Sequence, residues 1–225
     1  FAYDFASQSV PGDPTTMRPY WRDVGTIDSY FAANMDLRRP EPTIQLYNRK
    51  WPIITAQRNY PPARFMRGPH GGAVDLDDVL VCEGSIVQGA SIQKSLIGYD
   101  CLIRHDASME RCLVLSGCDV GAGAQLANVL MDKNVTIAAG ARVGLDPEAD
   151  AARFPFRTEQ GVIVLPKGTH VPEEGPIQLP FDIAELLVAD ASLAAALTRL
   201  SLPVVVSERD RHSGRSAGPR PGSRA

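Results

Sequence analysis

This 225-residue sequence predicts a mainly β fold, a parallel β-helix of triangular cross-section. Two observations carry that prediction. The stretch from Asp78 to Leu145 divides without a gap into four segments of seventeen residues: DVLVCEGSIVQGASIQK, SLIGYDCLIRHDASMER, CLVLSGCDVGAGAQLAN and VLMDKNVTIAAGARVGL. Three columns of this alignment, six residues apart, are apolar throughout. The third holds Leu80, Ile97, Val114 and Met131. The ninth holds Ile86, Ile103, Val120 and Ile137, and the fifteenth Ile92, Met109, Leu126 and Val143. A fixed period of this length marks stacked coils, each burying its apolar face against the next. Three inward columns give each coil three flat sides, and these twelve residues are expected to be almost wholly buried.

Flat sides need corners. The sixth column is Glu83, Asp100, Gly117 and Asn134, and the twelfth is Gly89, Asp106, Gly123 and Gly140. Gly, Asn and Asp are the types that tolerate positive φ. The thirteenth column is Ala90, Ala107, Ala124 and Ala141, which suits a place beside a corner with no room for a branch.

The segments ahead of the coils read differently. Residues 1–19 are a short apolar start and a polar, proline-bearing loop; the opening FAYDFASQSV reads as if inside an element, so a fragment is expected. In YWRDVGTIDSYFAANMDL, Thr26 can cap a helix whose inner face carries Ile27, Tyr30, Phe31, Asn34 and Leu37. Asp23 then sits just before the helix start. The run from Arg38 to Pro42 breaks that helix. Thr43–Tyr47 and Ile53–Thr55 read as short strands or extended pieces, and Tyr60–Phe65 as stiff extended chain. Residues 68–72 lead into the first coil.

After the coils, Asp146–Arg153 is polar and fits a helical turn, and GVIVL within 158–165 reads as a strand. Residues 172–180 form a linker. Asp182 and Glu185 give a capping-box pattern for another helix, with an apolar stripe from Ile183 to Leu200. The Arg/Ser/Gly/Pro-rich end from Glu208 is expected to be a disordered, solvated tail.

The formal net charge of −3 gives no general electrostatic case for nucleic acid or an acidic membrane. No apolar run is long enough to span a bilayer, and no signal-peptide pattern opens the chain. A cytoplasmic location is therefore expected. Cys82, Cys101, Cys112 and Cys118 contain no CxxC pair, so zinc is not expected. Cys101 and Cys118 share the seventh column and should lie on neighbouring coils, where reduced, buried thiols are the expectation.

Two unrelated stretches resemble one family. PYWRDVGTIDSYFAANMDL, followed by LYNRKWPI and YPPARF, is similar to the end of the catalytic domain of bacterial glucose-1-phosphate adenylyltransferases. The coils, including LMDKNVTIAAGARVG, and the following GVIVLPKG resemble their C-terminal β-helix. The resemblance covers about residues 1 to 172 and implies a left-handed, hexapeptide-repeat β-helix preceded by the terminal part of an α/β nucleotidyltransferase domain. It divides the chain into residues 1–70 from the catalytic domain, 71–172 as the β-helix domain, and 173–225 as an unassigned linker, helix and basic tail.

The resemblance further implies synthesis of ADP-glucose and pyrophosphate from ATP and glucose 1-phosphate, with Mg²⁺, in glycogen biosynthesis. It implies regulation by anionic metabolites bound between two domains, and a homo-oligomer, usually a tetramer. Asp23, in the WRDVG motif, matches a family Mg²⁺ ligand and so a catalytic position. Lys133, in MetAspLysAsn, and less closely Lys167 match basic effector positions, with Arg153 and Arg157 candidates by nearness in sequence. No GxGxxG or GGxGT-type run is present, so the chain alone is expected to be inactive. Alternatives are a non-catalytic regulatory or assembly module of the same family and, less favoured, a hexapeptide acyltransferase with His105 as general base.

Overall fold

In a computed structural model, which describes residues 4–180 apart from 8, 13–19 and 56–57, parallel strands stack into three sheets. The expected helix from Asp182 and the tail from Glu208 lie outside the described residues. The first sheet has the order β1 (Arg64–Met66), β4 (Ile86–Gln88), β7 (Leu102–Ile103), β10 (Asp119–Val120), β13 (Thr136–Ile137) and β16 (His170–Val171). The second runs β2 (Asp75–Asp77), β5 (Ser91–Gln93), β8 (Ser108–Glu110), β11 (Gln125–Ala127) and β14 (Arg142–Val143). The third runs β3 (Leu80–Val81), β6 (Leu96–Ile97), β9 (Leu113–Val114), β12 (Val129–Met131) and β15 (Ile163–Leu165). The chain passes through one strand of each sheet in turn, which builds a triangular prism. β1 lies ahead of residue 71, so the sheets begin earlier than the expected start of the β-helix domain.

Pairing follows the seventeen-residue columns from the second coil onward. Ile97 opposes Val114, which opposes Met131; Ile103 opposes Val120, which opposes Ile137; and Met109 opposes Leu126, which opposes Val143. All nine are buried, as is Ile92, and so are all four alanines of the thirteenth column.

The first coil departs from the expectation. Val81, not Leu80, pairs with Ile97, and Val87, not Ile86, pairs with Ile103. Val87 is fully buried while Ile86 and Leu80 remain partly exposed. On two of the three sides the equal-length cut assigned the wrong one of two adjacent apolar residues, while Ile92 pairs with Met109 as expected. The corner explains the shift. Gly84, not Glu83, takes the left-handed conformation, with φ of 79°. A glycine does so freely, whereas a residue with Cβ pays roughly 1–2 kcal/mol.

A third corner had no signature in the sequence. Its left-handed residues include Asp78, Lys94, Arg111 and Asn128, with φ of 55°, 46°, 52° and 57°. Neighbours hold two of them: the Lys94 ammonium lies 3.6 Å from Glu110, and Arg111 donates to Asn128 Oδ1 at 2.5 Å.

After Val143 the coil opens. α2 (Pro147–Arg153) replaces the next turns of strand, capped by Asp146, whose Oδ1 accepts from the N–H groups of Glu148 and Ala149. The prism then resumes two periods on, with Met131 opposite Leu165 and Ile137 opposite Val171.

α1 (Ile27–Asp36) packs on the outside of the third sheet. Thr26 Oγ1 accepts from the Ser29 N–H while Ser29 Oγ accepts from the Thr26 N–H, satisfying two otherwise orphaned donors. The buried face is Phe31 and Met35, set against Leu113, Leu130 and Val162. This corrects the expected inner face: Ile27 and Tyr30 are exposed. The third sheet carries an outward row of leucines, and that row selects which side of α1 is covered. Thr43–Tyr47 and Ile53–Thr55 form turns and irregular chain, not strands, and Ile54 is 91% exposed.

Candidate functional site

The residues singled out by sequence fall in two places. The first precedes α1. Asp23 is exposed, and its Oδ1 accepts the Gly25 N–H at 2.8 Å in a tight turn leading to the Thr26 cap. One carboxylate oxygen is thus used locally and the other is available. Hard Mg²⁺ is commonly held by one or two carboxylates with phosphates and water completing the shell. Asp23 fits the role of one such ligand. Among the described residues no group of three or more His, Cys, Asp or Glu could hold a metal ion.

The second place is the first corner of the prism. Lys133 and Lys167 are thirty-four positions apart in sequence, and each immediately precedes a left-handed residue, Asn134 with φ of 59° and Gly168 with φ of 74°. The Gly168 N–H donates to the Lys133 carbonyl at 2.9 Å, which places the two lysines at the same corner on successive coils. Stacked coils are separated by about 4.8 Å. Both lysines are exposed, and neither is in an ion pair among the described residues. The Lys133 N–H donates to Asp132 Oδ1 at 2.7 Å, which fixes the turn that presents its side chain. Two like charges so placed repel by at most about 1 kcal/mol in water, and an anion bridging them reverses that sign.

The other candidates have structural employment. Arg153 Nε donates to the Gly175 carbonyl at 2.9 Å and Nη1 to the Arg142 carbonyl at 3.3 Å, and Nη2 reaches the Pro172 carbonyl. This guanidinium clamps α2 to the returning chain. Arg157 donates to the Pro147 carbonyl at 3.1 Å. His105 sits at the second corner with Nδ1 2.9 Å from Asp106 Oδ2 and its ring edge-on to His70 at 5.6 Å.

The four cysteines are free. Burial pushes the Cys112 thiol up to about 12. Cys118 is raised by its hydrogen bond with Cys101, whose own pKa is lowered by the same bond. The thiol column is thus part of the packed interior.

Sequence reasoning missed two contacts near these places. Tyr60 stacks on Tyr99 at 5.8 Å and 21° across the first corner. Arg38 pairs with Asp78, tying the segment after α1 to the third corner of the prism. That ion pair joins residues forty positions apart, and no periodic signal announces it.

Comparisons with known proteins agree with this geometry. The profile of the family described as "GlmU-like, C-terminal hexapeptide" matches residues 61–165. A glucose-1-phosphate adenylyltransferase of Arthrobacter sp. (strain FB24) is 38% identical over 194 residues, 86% of this chain and 42% of that protein. One from Pseudarthrobacter chlorophenolicus is 40% identical over 195 residues, again 86% and 42%. Glucose-1-phosphate adenylyltransferase 1 of Vibrio parahaemolyticus serotype O3:K6 is 39% identical over 171 residues, 76% and 41%. Over most of its length the chain is similar to proteins named glucose-1-phosphate adenylyltransferase. Its prism is the left-handed β-helix of the hexapeptide type. The chain spans about two fifths of the length of these relatives. No helix among the described residues is long and apolar enough to cross a membrane.

Proposed function

We propose that this chain is the C-terminal portion of a cytoplasmic glucose-1-phosphate adenylyltransferase of glycogen biosynthesis, carrying the end of its α/β catalytic domain and its regulatory and oligomerisation β-helix. The observation that carries this reading is similarity to adenylyltransferases at 38–40% identity over three quarters or more of the chain. In the complete enzyme, a phosphate oxygen of glucose 1-phosphate attacks the α-phosphorus of ATP. The bond to the β-phosphate breaks and pyrophosphate leaves. Mg²⁺ would supply charge neutralisation among these phosphates. Asp23 is suited to hold it through its free carboxylate oxygen, with the Gly25 N–H fixing the other. The sequence has no phosphate-cradling glycine loop and supplies this one matched metal carboxylate, so the chain alone is inactive on this reading.

The stacked corner supports the regulatory part of the proposal. Lys133 and Lys167 present adjacent, unpaired ammonium groups to one anionic metabolite. In a complete family enzyme, tetrameric on this reading, the test is a dose–response series with phosphorylated metabolites. Lys133→Ala should raise the half-activating concentration about tenfold, with unactivated turnover nearly unchanged. An unchanged half-activating concentration for every effector of the parent enzyme removes Lys133 from the site.

A further inference from the structure

A second concentration of positive charge lies away from the stacked lysines, at the segment joining α1 to the prism. A cavity of about 610 Å³ is lined there by Arg38, Arg39, Gln45, Tyr47, Arg49 and Lys50, with Leu80 of the first coil in its wall. It lies beside the third corner of the first coil, whereas Lys133 and Lys167 occupy the first corner of later coils. The stretch supplying it read in sequence only as a helix break and short extended pieces.

The cavity is held by specific contacts. Asn48 Oδ1 accepts the N–H groups of Lys50 at 3.0 Å and Trp51 at 3.3 Å, and its Nδ2 donates to the Pro11 carbonyl at 2.9 Å. These bonds fix the turn that carries Arg49 and Lys50. Arg38 is anchored by Asp78, and Arg39 pairs with Asp36 at 2.9 Å. Arg49 and Lys50 have no ion-pair partner among the described residues. The four cations thus outnumber the two carboxylates that pair with them.

Two further signs show that this charge is under-compensated. Arg38 Nε is buried and lacks a hydrogen-bond partner. Burial, followed by the neighbouring charges of Arg39 and Arg111, lowers the Arg38 pKa from its ordinary value. An oxyanion entering the cavity would offset the crowding of like charges around Arg38. Arginine forks match the oxygen geometry of phosphate, and the volume falls in the range typical of small-molecule sites. A lone chloride would leave most of that space unfilled.

We propose that this cavity binds a small, multiply charged phosphate compound, either a phosphate monoester or inorganic pyrophosphate, through Arg49 and Lys50 with Arg38 and Arg39 behind them. This inference does not depend on the effector role of Lys133 and Lys167. Their double variant supplies a background in which this cavity is titrated alone.

The test is isothermal titration of the purified 225-residue chain with glucose 1-phosphate, sodium pyrophosphate and sodium chloride at matched ionic strength. The expected result is saturable binding of at least one phosphate compound. That binding should weaken about tenfold or more in the Arg49→Ala/Lys50→Ala double variant. The same loss should appear when Arg49→Ala/Lys50→Ala is compared with its parent in a Lys133→Ala/Lys167→Ala background, where the stacked corner no longer contributes. Binding of the monoester alone, or of pyrophosphate alone, identifies which source the site takes. No saturable binding by either, binding no tighter than chloride, or binding unaffected by Arg49→Ala/Lys50→Ala would each overturn the proposal. Circular dichroism of the double variant, matching the parent chain, establishes that lost binding is not lost folding.

Discussion

Introducing a carboxylate at either of two adjacent residues in the first coil separates the observed register from the one that equal periods suggest. Val87 is fully buried and opposes Ile103, while Ile86 is partly exposed and points outward. Val87→Asp removes a buried side chain worth about 1.5–2 kcal/mol and places a carboxyl where it has no partner, at a further ~2–4 kcal/mol. The total, about 4–6 kcal/mol, is a large part of the roughly 5–15 kcal/mol that keeps a domain folded. Ile86→Asp loses only part of its apolar contact and keeps water at the carboxylate, for about 1 kcal/mol. Thermal unfolding followed by circular dichroism reads the difference. At about 2–4 °C per kcal/mol for a chain of this size, Val87→Asp should lower the midpoint by roughly 10–20 °C, and Ile86→Asp by only a few degrees. Equal shifts, or a larger one at Ile86, would refute the shifted register and return the first coil to the seventeen-residue column.

Phe31→Ala should cost about 3–5 kcal/mol of the α1 docking, because the ring is buried against Leu113 and Leu130 and lies 5.2 Å from the Arg111 guanidinium; hydrogen exchange should then open α1 while the coils stay protected. Cys112 supplies a pH test. Its folded pKa of about 12 exceeds the unfolded value near 8.5, so the native state keeps a proton the unfolded chain loses, and stability falls as pH rises through this window. Urea unfolding at pH 8 and pH 10 should show a loss of about 2 kcal/mol from this group, and Cys112→Ala should flatten the decline by that amount; an identical slope in the variant contradicts the assignment.

Much of the prism was legible because its periodicity is written in side chains that must be buried. Columns through Ile97, Ile103 and Met109 needed no knowledge of the corners. The first coil was misread because Leu80–Val81 and Ile86–Val87 each offer two apolar neighbours, and only the freedom of Gly84 at positive φ chooses between them. The third corner was hidden because Lys94 and Arg111 are not turn formers, and their neighbours, not their own preferences, hold them there. The covered side of α1 depended on a leucine row contributed by distant coils, which the helix's own pattern does not contain. Of the candidate site, the types of Asp23, Lys133 and Lys167 were readable, but the adjacency of the two lysines was not. Their separation of thirty-four is twice the period, yet α2 interrupts the pattern between them. The cavity beside Arg38 was invisible for a different reason: its cations come from irregular chain, where no period relates residues to one another.

The most direct measurement of the functional account is pyrophosphate release in the presence of ATP, glucose 1-phosphate and Mg²⁺. It should be made on the 225-residue chain alone and on the same chain fused behind the preceding residues of its Arthrobacter relative. The account predicts no turnover from the chain alone and ADP-glucose formation by the fusion, with most of that rate lost in Asp23→Asn while the fold is kept. Robust turnover by the chain alone, or full activity of the Asp23→Asn fusion, would contradict it.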